Sequence, residues 1–493
     1  MTETLTLSAF GKNDIRGIYG EDVTEELFYY AGKGFVKFVC ARACKKPDEV
    51  WLTVTQDARL HSPVLTQALI KGVTNAGANV VDLGLAPTPI GYFSEANGVP
   101  SEITNGNDVL GSLIVTASHN PSEYNGLKMT FNKASLTEEE IKEVKEYTKE
   151  VIENKKCEVT FGLIREYNII PQYQEFISQR FGNIGQGIKV VVDSANATGG
   201  VVAPDLYRAI GCEVVELFSE PDGNFPNHHP NPSDEKTLDA IKAKIVEEKA
   251  DFGIAFDGDS DRIGVIDSQG RSLTGDKLLL IYAMDIIEML KPHGEKPIVV
   301  SEVKCSQALY DTINNSGGVA IMTKTGHGYI KSKMKEVGAI LAGEMSGHTF
   351  FKDKYYGFDD AVYAGCRLIE IVAKHKHTNP DFKVENLLSA FDSVYSSKEV
   401  RYKCPNDMKK PVMDILKSRV ETNPDMFGTK ISDIVTLDGM RIVFDGGFAL
   451  IRQSNTEPVF TLRFEAQDKT TCEQYQNAMI SALDECMEKA KNV

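Results

Sequence analysis

The chain has 493 residues, 42% of them hydrophobic and 25% charged, with a formal net charge of −16. That length exceeds what one hydrophobic core supports and predicts three or four domains of ordinary soluble composition. The acidic balance excludes general nucleic-acid binding, which needs a basic face, so an anionic ligand would depend on local basic residues in a cleft.

Taken in chain order, the opening MTETLTLSAFGKND carries early acid and no long apolar run, and does not read as a secretory signal. Residues 51–55 predict a strand, 64–75 a helix, 78–83 a strand and 112–116 another strand. A Lys/Glu-rich helix over 138–156 closes this first unit. The rhythm repeats with 188–192, a helix over 203–210 and 212–217. It returns a third time, after a helix over 275–290, with 297–301, 307–315 and 319–323. Each unit runs strand, loop, helix, Gly, strand, the pattern of α/β domains with largely parallel sheets. The most apolar stretch, 278–290, is broken by Asp285 and Glu288, short of the roughly 20 apolar residues a membrane helix needs. After Phe391 the texture changes. Strands over 448–453 and 459–466, with helices over 408–419 and 471–491, predict a smaller α+β domain. The expected domains are 1–165, 166–273, 274–390 and 391–493. The nine cysteines are odd in number and contain no CxxC pair, which suits free thiols in a reducing, cytoplasmic compartment.

Four polar loops follow short apolar runs, placing them at the carboxyl ends of strands, the edge where open α/β sheets bind ligands. The first is TASHNP, residues 116–121, with Asn125-Gly126-Leu127-Lys128 close behind. Ser118 is a candidate nucleophile, with His119 and Lys128 as base and charge neutraliser, although the segment also reads as a Ser/Asn/Pro turn. No GxSxG elbow supports a hydrolase. The second is DGDSDR, residues 257–262. Asp257, Asp259 and Asp261 crowd three carboxylates at alternate positions, which favours a hard cation such as magnesium, with Arg262 available for a phosphate. Arg262 and Ser268 stand where a calcium-binding EF-hand needs Gly and Glu. The third, GEMSGH (343–348), offers Glu344 and Ser346 to neighbouring sugar hydroxyls. The fourth, RQSNTEP (452–458), has the makings of an anion cradle. Each of these two also reads as an ordinary turn or strand end. Together the four supply a nucleophile, a metal site, a hydroxyl reader and a phosphate clamp, a set suited to phosphoryl transfer.

These loops, in this order, resemble the α-D-phosphohexomutase superfamily, as do Asp14-Ile15-Arg16-Gly17, Lys304 in VKCS, and Gly326-His327 in KTGHGYIK. GEMSGH and FFKDKYYGFDDA are similar to the phosphomannomutase/phosphoglucomutase branch. Phosphoglucosamine mutases usually carry GEQSGH and RxSGTEP, where this chain has Met345 and Asn455. Asn13 and Ser260 stand where Tyr and Gly are commoner. The resemblance implies four domains around a central cleft, the first three of similar mixed α/β topology and the last α+β. It implies a phosphohexomutase that interconverts hexose 1- and 6-phosphates of mannose and glucose, through a phosphoserine and a hexose 1,6-bisphosphate. Phosphoglucosamine mutase and a non-catalytic phosphosugar-binding protein are the alternatives. By the same resemblance Ser118 carries the phosphoryl group, and Asp257, Asp259 and Asp261 bind Mg2+ together with an oxygen of Ser118. Lys128 and His327 are acid/base candidates, and His119 and Arg16 stabilise charge. Glu344 and Ser346 read the sugar, while Arg262, Lys304, His348, Arg452, Ser454, Asn455 and Thr456 complete the substrate contacts. A phosphosugar is the expected partner, with neither nucleic acid nor membrane, in a monomer or homodimer.

Overall fold

Three stretches of chain build the same parallel core. In the first, strand Trp51–Gln56 lies between Asn79–Leu85 and Val109–Val115. In the second, Lys189–Asp193 lies between Glu213–Leu217 and Phe252–Phe256. In the third, Ile298–Glu302 lies between Val319–Thr323 and Leu341–Gly343. The central strands are almost entirely buried, which explains their β-branched runs. Helices Ser62–Asn75, Ala203–Ala209 and Gln307–Ser316 each join the central strand to its first neighbour. Each is followed by a glycine of positive φ: Gly77, Gly211 and Gly317. In every case the chain then crosses to the far side of the central strand, and the loop leaving that third strand is one of the polar loops singled out above.

The computed structural model describes residues 5–154, 161–454 and 458–491, in two compact units: 1–274 with 346–385, and 275–345 with 386–493. The first unit holds the first two sheets. Both are more mixed than the sequence suggests. Tyr124–Phe131 and Ile15–Ile18 add antiparallel strands to the first sheet, and Ile263–Asp267 and Ser272–Leu273 do so in the second. The helix expected over 138–156 ends at Glu153, and Lys156 lies outside the described residues. The buried helix Glu25–Ala43 packs against Ser62–Asn75 and Glu138–Glu153, and residues from all three join the core of the first sheet. Helix Ala361–Thr378 also belongs to this unit, and its first residue donates a backbone hydrogen bond to the Ser260 carbonyl.

The second unit holds the third parallel core and an antiparallel sheet. The order in that sheet is Tyr395–Ser396, Val459–Ala466, Gly447–Gln453, Met440–Phe444, Ile431–Val435, with Val400–Lys403 also paired to Val459–Ala466. Helices Asn406–Thr422 and Lys469–Ala490 share its core. Among the described residues, no helix is long and apolar enough to cross a membrane.

Candidate active site

Ser118 leaves strand Val109–Val115 in a left-handed backbone conformation, φ 52°. A non-glycine residue holds that conformation only when its surroundings impose it. Here the Ser118 N–H donates to Thr116 Oγ1 at 2.9 Å, and the Ser118 carbonyl accepts from Arg59 Nη2 at 2.9 Å. The side chain is buried, with Oγ donating to Asp257 Oδ2 at 2.8 Å and lying 3.2 Å from His119 Nδ1. The nucleophile candidate and the aspartate loop therefore share one corner. Gly258 permits the approach, because a Cβ there would stand 2.3 Å from the Ser118 carbonyl oxygen.

The aspartate loop joins antiparallel strands Phe252–Phe256 and Ile263–Asp267. Asp257 Oδ1 accepts from the backbone N–H groups of Asp261 and Arg262, both at 3.1 Å. Thr88 donates through its backbone N–H to the Asp259 carbonyl and through its hydroxyl to Asp259 Oδ2. Lys128 Nζ bridges Asp259 Oδ2 at 2.6 Å and Asp261 Oδ2 at 2.5 Å. Burial, then repulsion from Asp261 and Asp259, pushes the Asp257 carboxyl well above its ordinary range. Burial opposes the Lys128 charge, but Asp259 and Asp261 outweigh it and keep the side chain an ammonium. The three aspartates offer oxygens within 4.8 Å of one another. Asp259 Oδ1 and Asp261 Oδ1 are buried and accept no hydrogen bond. Orphaned carboxylate oxygens in a trio of buried aspartates fit a hard divalent cation.

Basic groups surround this corner. Arg16 Nη1 donates to the Ala117 carbonyl at 2.7 Å and to Asn120 Oδ1 at 3.2 Å, and its other arm pairs with Asp14. Burial, with Arg262 and Arg16 near, lowers the His119 pKa to about 2, so its ring is neutral. Arg262 Nε donates to His348 Nε2 at 3.0 Å. His348 Nδ1 faces Asp359 Oδ2 at 3.2 Å and Asp261 Oδ1 at 3.6 Å. His348, expected to touch substrate, is 4% exposed, like Ser118. The Ser346 carbonyl accepts from Ser233 Oγ at 3.0 Å, also within the first unit.

The remaining expected residues that are described lie in the second unit. Lys304 Nζ is 3.4 Å from Glu302 Oε1, and the Lys304 carbonyl accepts from Arg463 Nη1 at 2.8 Å. Glu344 Oε1 accepts from the Gly326 N–H at 2.8 Å, next to His327, which opens helix His327–Val337. Arg452 pairs with Asp438, and the Ser454 carbonyl accepts from Lys409 Nζ at 2.6 Å. Asn455 and Thr456 lie outside the described residues.

Sequence reasoning passed over Asp57 and Arg59, in the loop after the first central strand. The buried Arg59 guanidinium donates to four carbonyls of the serine loop, those of Ser118, Asn120, Pro121 and Tyr124. Asp57 accepts from Arg59 Nε at 3.0 Å, from Thr116 Oγ1 at 2.8 Å and from Ser62 Oγ at 2.6 Å. The available signal was position: QDARLHS leaves a buried strand at the same sheet edge as the serine loop.

Comparison with known proteins finds four successive matches to the phosphoglucomutase/phosphomannomutase family: alpha/beta/alpha domain I over residues 7–155, domain II over 171–270, domain III over 274–389 and the C-terminal domain over 399–482. A phosphomannomutase/phosphoglucomutase of Pseudomonas aeruginosa is 36% identical over 480 residues, covering 97% of this chain and 96% of the relative. One from Pseudomonas putida is 38% identical over 461 residues, covering 93% and 92%. A crystal structure of a phosphoglucomutase/phosphomannomutase family protein from Burkholderia thailandensis superposes with a TM-score of 0.86 at 36% identity, covering 98% of each chain.

Proposed function

This chain belongs to the phosphoglucomutase/phosphomannomutase family, and we propose that it is an intramolecular phosphotransferase interconverting hexose 1- and 6-phosphates of mannose and glucose. The observation that supports the reading is the 2.8 Å hydrogen bond from Ser118 Oγ to Asp257, a hydroxyl against a carboxylate trio. Asp257, Asp259 and Asp261 would hold Mg2+ with an oxygen of phosphorylated Ser118. Bound there, the ion would supply charge neutralisation to the trio and to the phosphoryl oxygens.

In the forward half-reaction the bond from phosphorus to Ser118 Oγ breaks as a bond to the free sugar hydroxyl forms. The hydroxyl proton passes to a base, for which His327 is the candidate. Ser118 Oγ regains a proton, and the Lys128 ammonium is the candidate donor. Arg16 and the neutral His119 steady the developing charge around Ser118. The hexose 1,6-bisphosphate then turns end for end and returns its other phosphate to Ser118. Arg452, Ser454, Asn455 and Thr456 hold whichever phosphate is not reacting, and Arg262, Lys304 and His348 complete the substrate contacts. O3 and O4 roughly exchange on turning, so Glu344 and Ser346 can read the sugar in both orientations. The functional domains are 1–165, 166–273, 274–390 and 391–493, in a cytoplasmic monomer or homodimer. The eight described cysteines are free, which supports a reducing setting.

The test is incubation of the purified protein with mannose or glucose 1-phosphate, magnesium and a trace of hexose 1,6-bisphosphate. Hexose 6-phosphate should accumulate. Release of inorganic phosphate without isomerised ester would make it a phosphatase instead. Parallel rates with glucosamine 1-phosphate rank the sugars.

A further inference from the structure

A carboxylate is built into the phosphate clamp. Arg452 Nε and Nη2 both donate to Asp438 Oδ2, at 2.9 and 2.7 Å, and the same oxygen accepts the Thr325 N–H at 3.1 Å. Thr325 lies two residues before His327. Asp438 sits in the turn between strands Ile431–Val435 and Met440–Phe444, and the next residue, Gly439, has φ 82°. A Cβ on Gly439 would lie 2.1 Å from the Ile451 carbonyl oxygen and 2.9 Å from Arg452 Cα. Glycine thus lets this turn press onto the backbone that carries the arginine. The Asp438 and Arg452 side chains remain 22% and 14% exposed, so a ligand can reach the pair.

Taking Arg452 as the clamp for the non-reacting phosphate, we propose that Asp438 is a positioning residue that orients the Arg452 guanidinium, ties it through Thr325 to the segment bearing His327, and loosens its grip on phosphate. The carboxylate occupies the Nε and Nη2 edge of a planar fork, which fixes the direction of the remaining donors. Its negative charge also repels a phosphate dianion bound to that fork. The looseness has a use. A mutase that turns a bisphosphate round must release one clamped phosphate and seize the other in every cycle. Binding that holds the ground state too tightly slows turnover without helping the transfer step.

The experiment measures inorganic phosphate binding to the full chain by calorimetry, alongside mutase kinetics, for wild type, Asp438→Asn, Asp438→Glu and Arg452→Ala. The clamp is identified as the binding lost in Arg452→Ala. Asp438→Asn should bind phosphate there about tenfold more tightly, with KM and kcat for the hexose 1-phosphate both lowered. Asp438→Glu should move both back towards wild type. A clamp affinity in Asp438→Asn equal to or weaker than wild type overturns the proposal, as does a fall in kcat with no fall in KM. If Asp438→Asn does not fold, Asp438→Ser is judged by the same two criteria. Phosphate binding needs no turnover, so an inactive wild type would count against the mutase reading, whereas unchanged clamp affinity counts against Asp438 alone.

Discussion

Around Ser118 the charged groups are buried and locked to one another. Ser118 is 4% exposed, Lys128 7%, and the three aspartates no more than 1%. The Arg452–Asp438 pair is wetter, with side-chain exposures of 14% for Arg452 and 22% for Asp438. The two regions answer different physical demands. Phosphoryl transfer depends on holding charges where they are needed before the reaction begins, which rewards rigidity and exclusion of water. A recognition site that meets both ends of the same molecule must bind and let go, which rewards exposed, exchangeable contacts.

The hardest blow to this contrast comes from removing the nucleophile. Ser118→Ala should lower kcat by at least about three orders of magnitude while leaving inorganic phosphate binding at the clamp intact. Turnover near the wild-type rate would show that the buried corner carries no phosphoryl group. Next comes Asp259→Asn, which removes one carboxylate of the trio and a partner of Lys128. It should cost about two to three orders of magnitude in rate and flatten the dependence on magnesium. A variant running at full speed in EDTA would refute the metal assignment.

Much of the buried corner is legible in the chain, because its chemistry is written in short polar words placed after β-branched runs. TASHNP and DGDSDR sit where the strand pattern puts them, and the structure brings Ser118 and Asp257 into contact. Lys128 is less legible. It belongs to strand Tyr124–Phe131 rather than a loop, with Leu127 and Met129 on either side in the hydrophobic core. That period of two is visible in NGLKMTF, but Asn-Gly masks it by reading as a turn. Strand Ile15–Ile18 hides for a related reason, being only four residues long with Arg and Gly inside it. The His348–Arg262 bond spans 86 positions, and no local pattern announces it. The grouping of residues 346–385 with the first unit is invisible for the same reason.

Arg59 tests whether the corner owes its performance to rigidity rather than to the reacting groups alone. Arg59→Lys keeps the charge but loses the planar fork that meets Ser118, Asn120, Pro121 and Tyr124. The rate should fall about 10- to 100-fold with KM little changed, since Arg59 supports the loop from behind. Amide hydrogen exchange over residues 118–124 should quicken. A slowed enzyme whose loop exchanges as in wild type would mean that Arg59 acts some other way.

Glu95 extends the same question to pH. It lies 4% exposed on helix Thr88–Ala96, whose first residue bonds Asp259, and it accepts from Thr130 Oγ1 at 2.6 Å on the strand of Lys128. Burial raises its pKa from 4.5 to about 7, against the pull of the bonds from Thr130 and Lys133. Below pH 4.5 both folded and unfolded chains hold the proton. As pH rises towards 7 only the unfolded chain gives it up, so stability falls, by about 3 kcal/mol in all. Glu95→Gln has no proton to lose. Its urea midpoint, compared with wild type, should improve between about pH 5 and pH 7 and level off above. A difference that stays constant over that range would place the Glu95 pKa elsewhere.

The smallest effect belongs to Ser260, the non-glycine residue at φ 58° inside the aspartate loop. An L-residue pays roughly 1–2 kcal/mol for that conformation, and the Ser260 hydroxyl recovers little of it through a 3.3 Å contact with Thr198 Oγ1. The backbone bonds that shape the loop, from the Ser260 N–H to the Asp257 carbonyl and from Ala361 to the Ser260 carbonyl, need no side chain. Ser260→Gly removes the strain but gives the unfolded chain more freedom, worth roughly 0.5–1 kcal/mol in the opposite direction. The net result should be a gain of about 0.5 kcal/mol in urea denaturation, with the rate and magnesium dependence of wild type. If the glycine variant instead slowed tenfold, the aspartates would need the serine hydroxyl to hold their geometry. Backbone bonds alone would then be too weak to account for the rigidity of the corner.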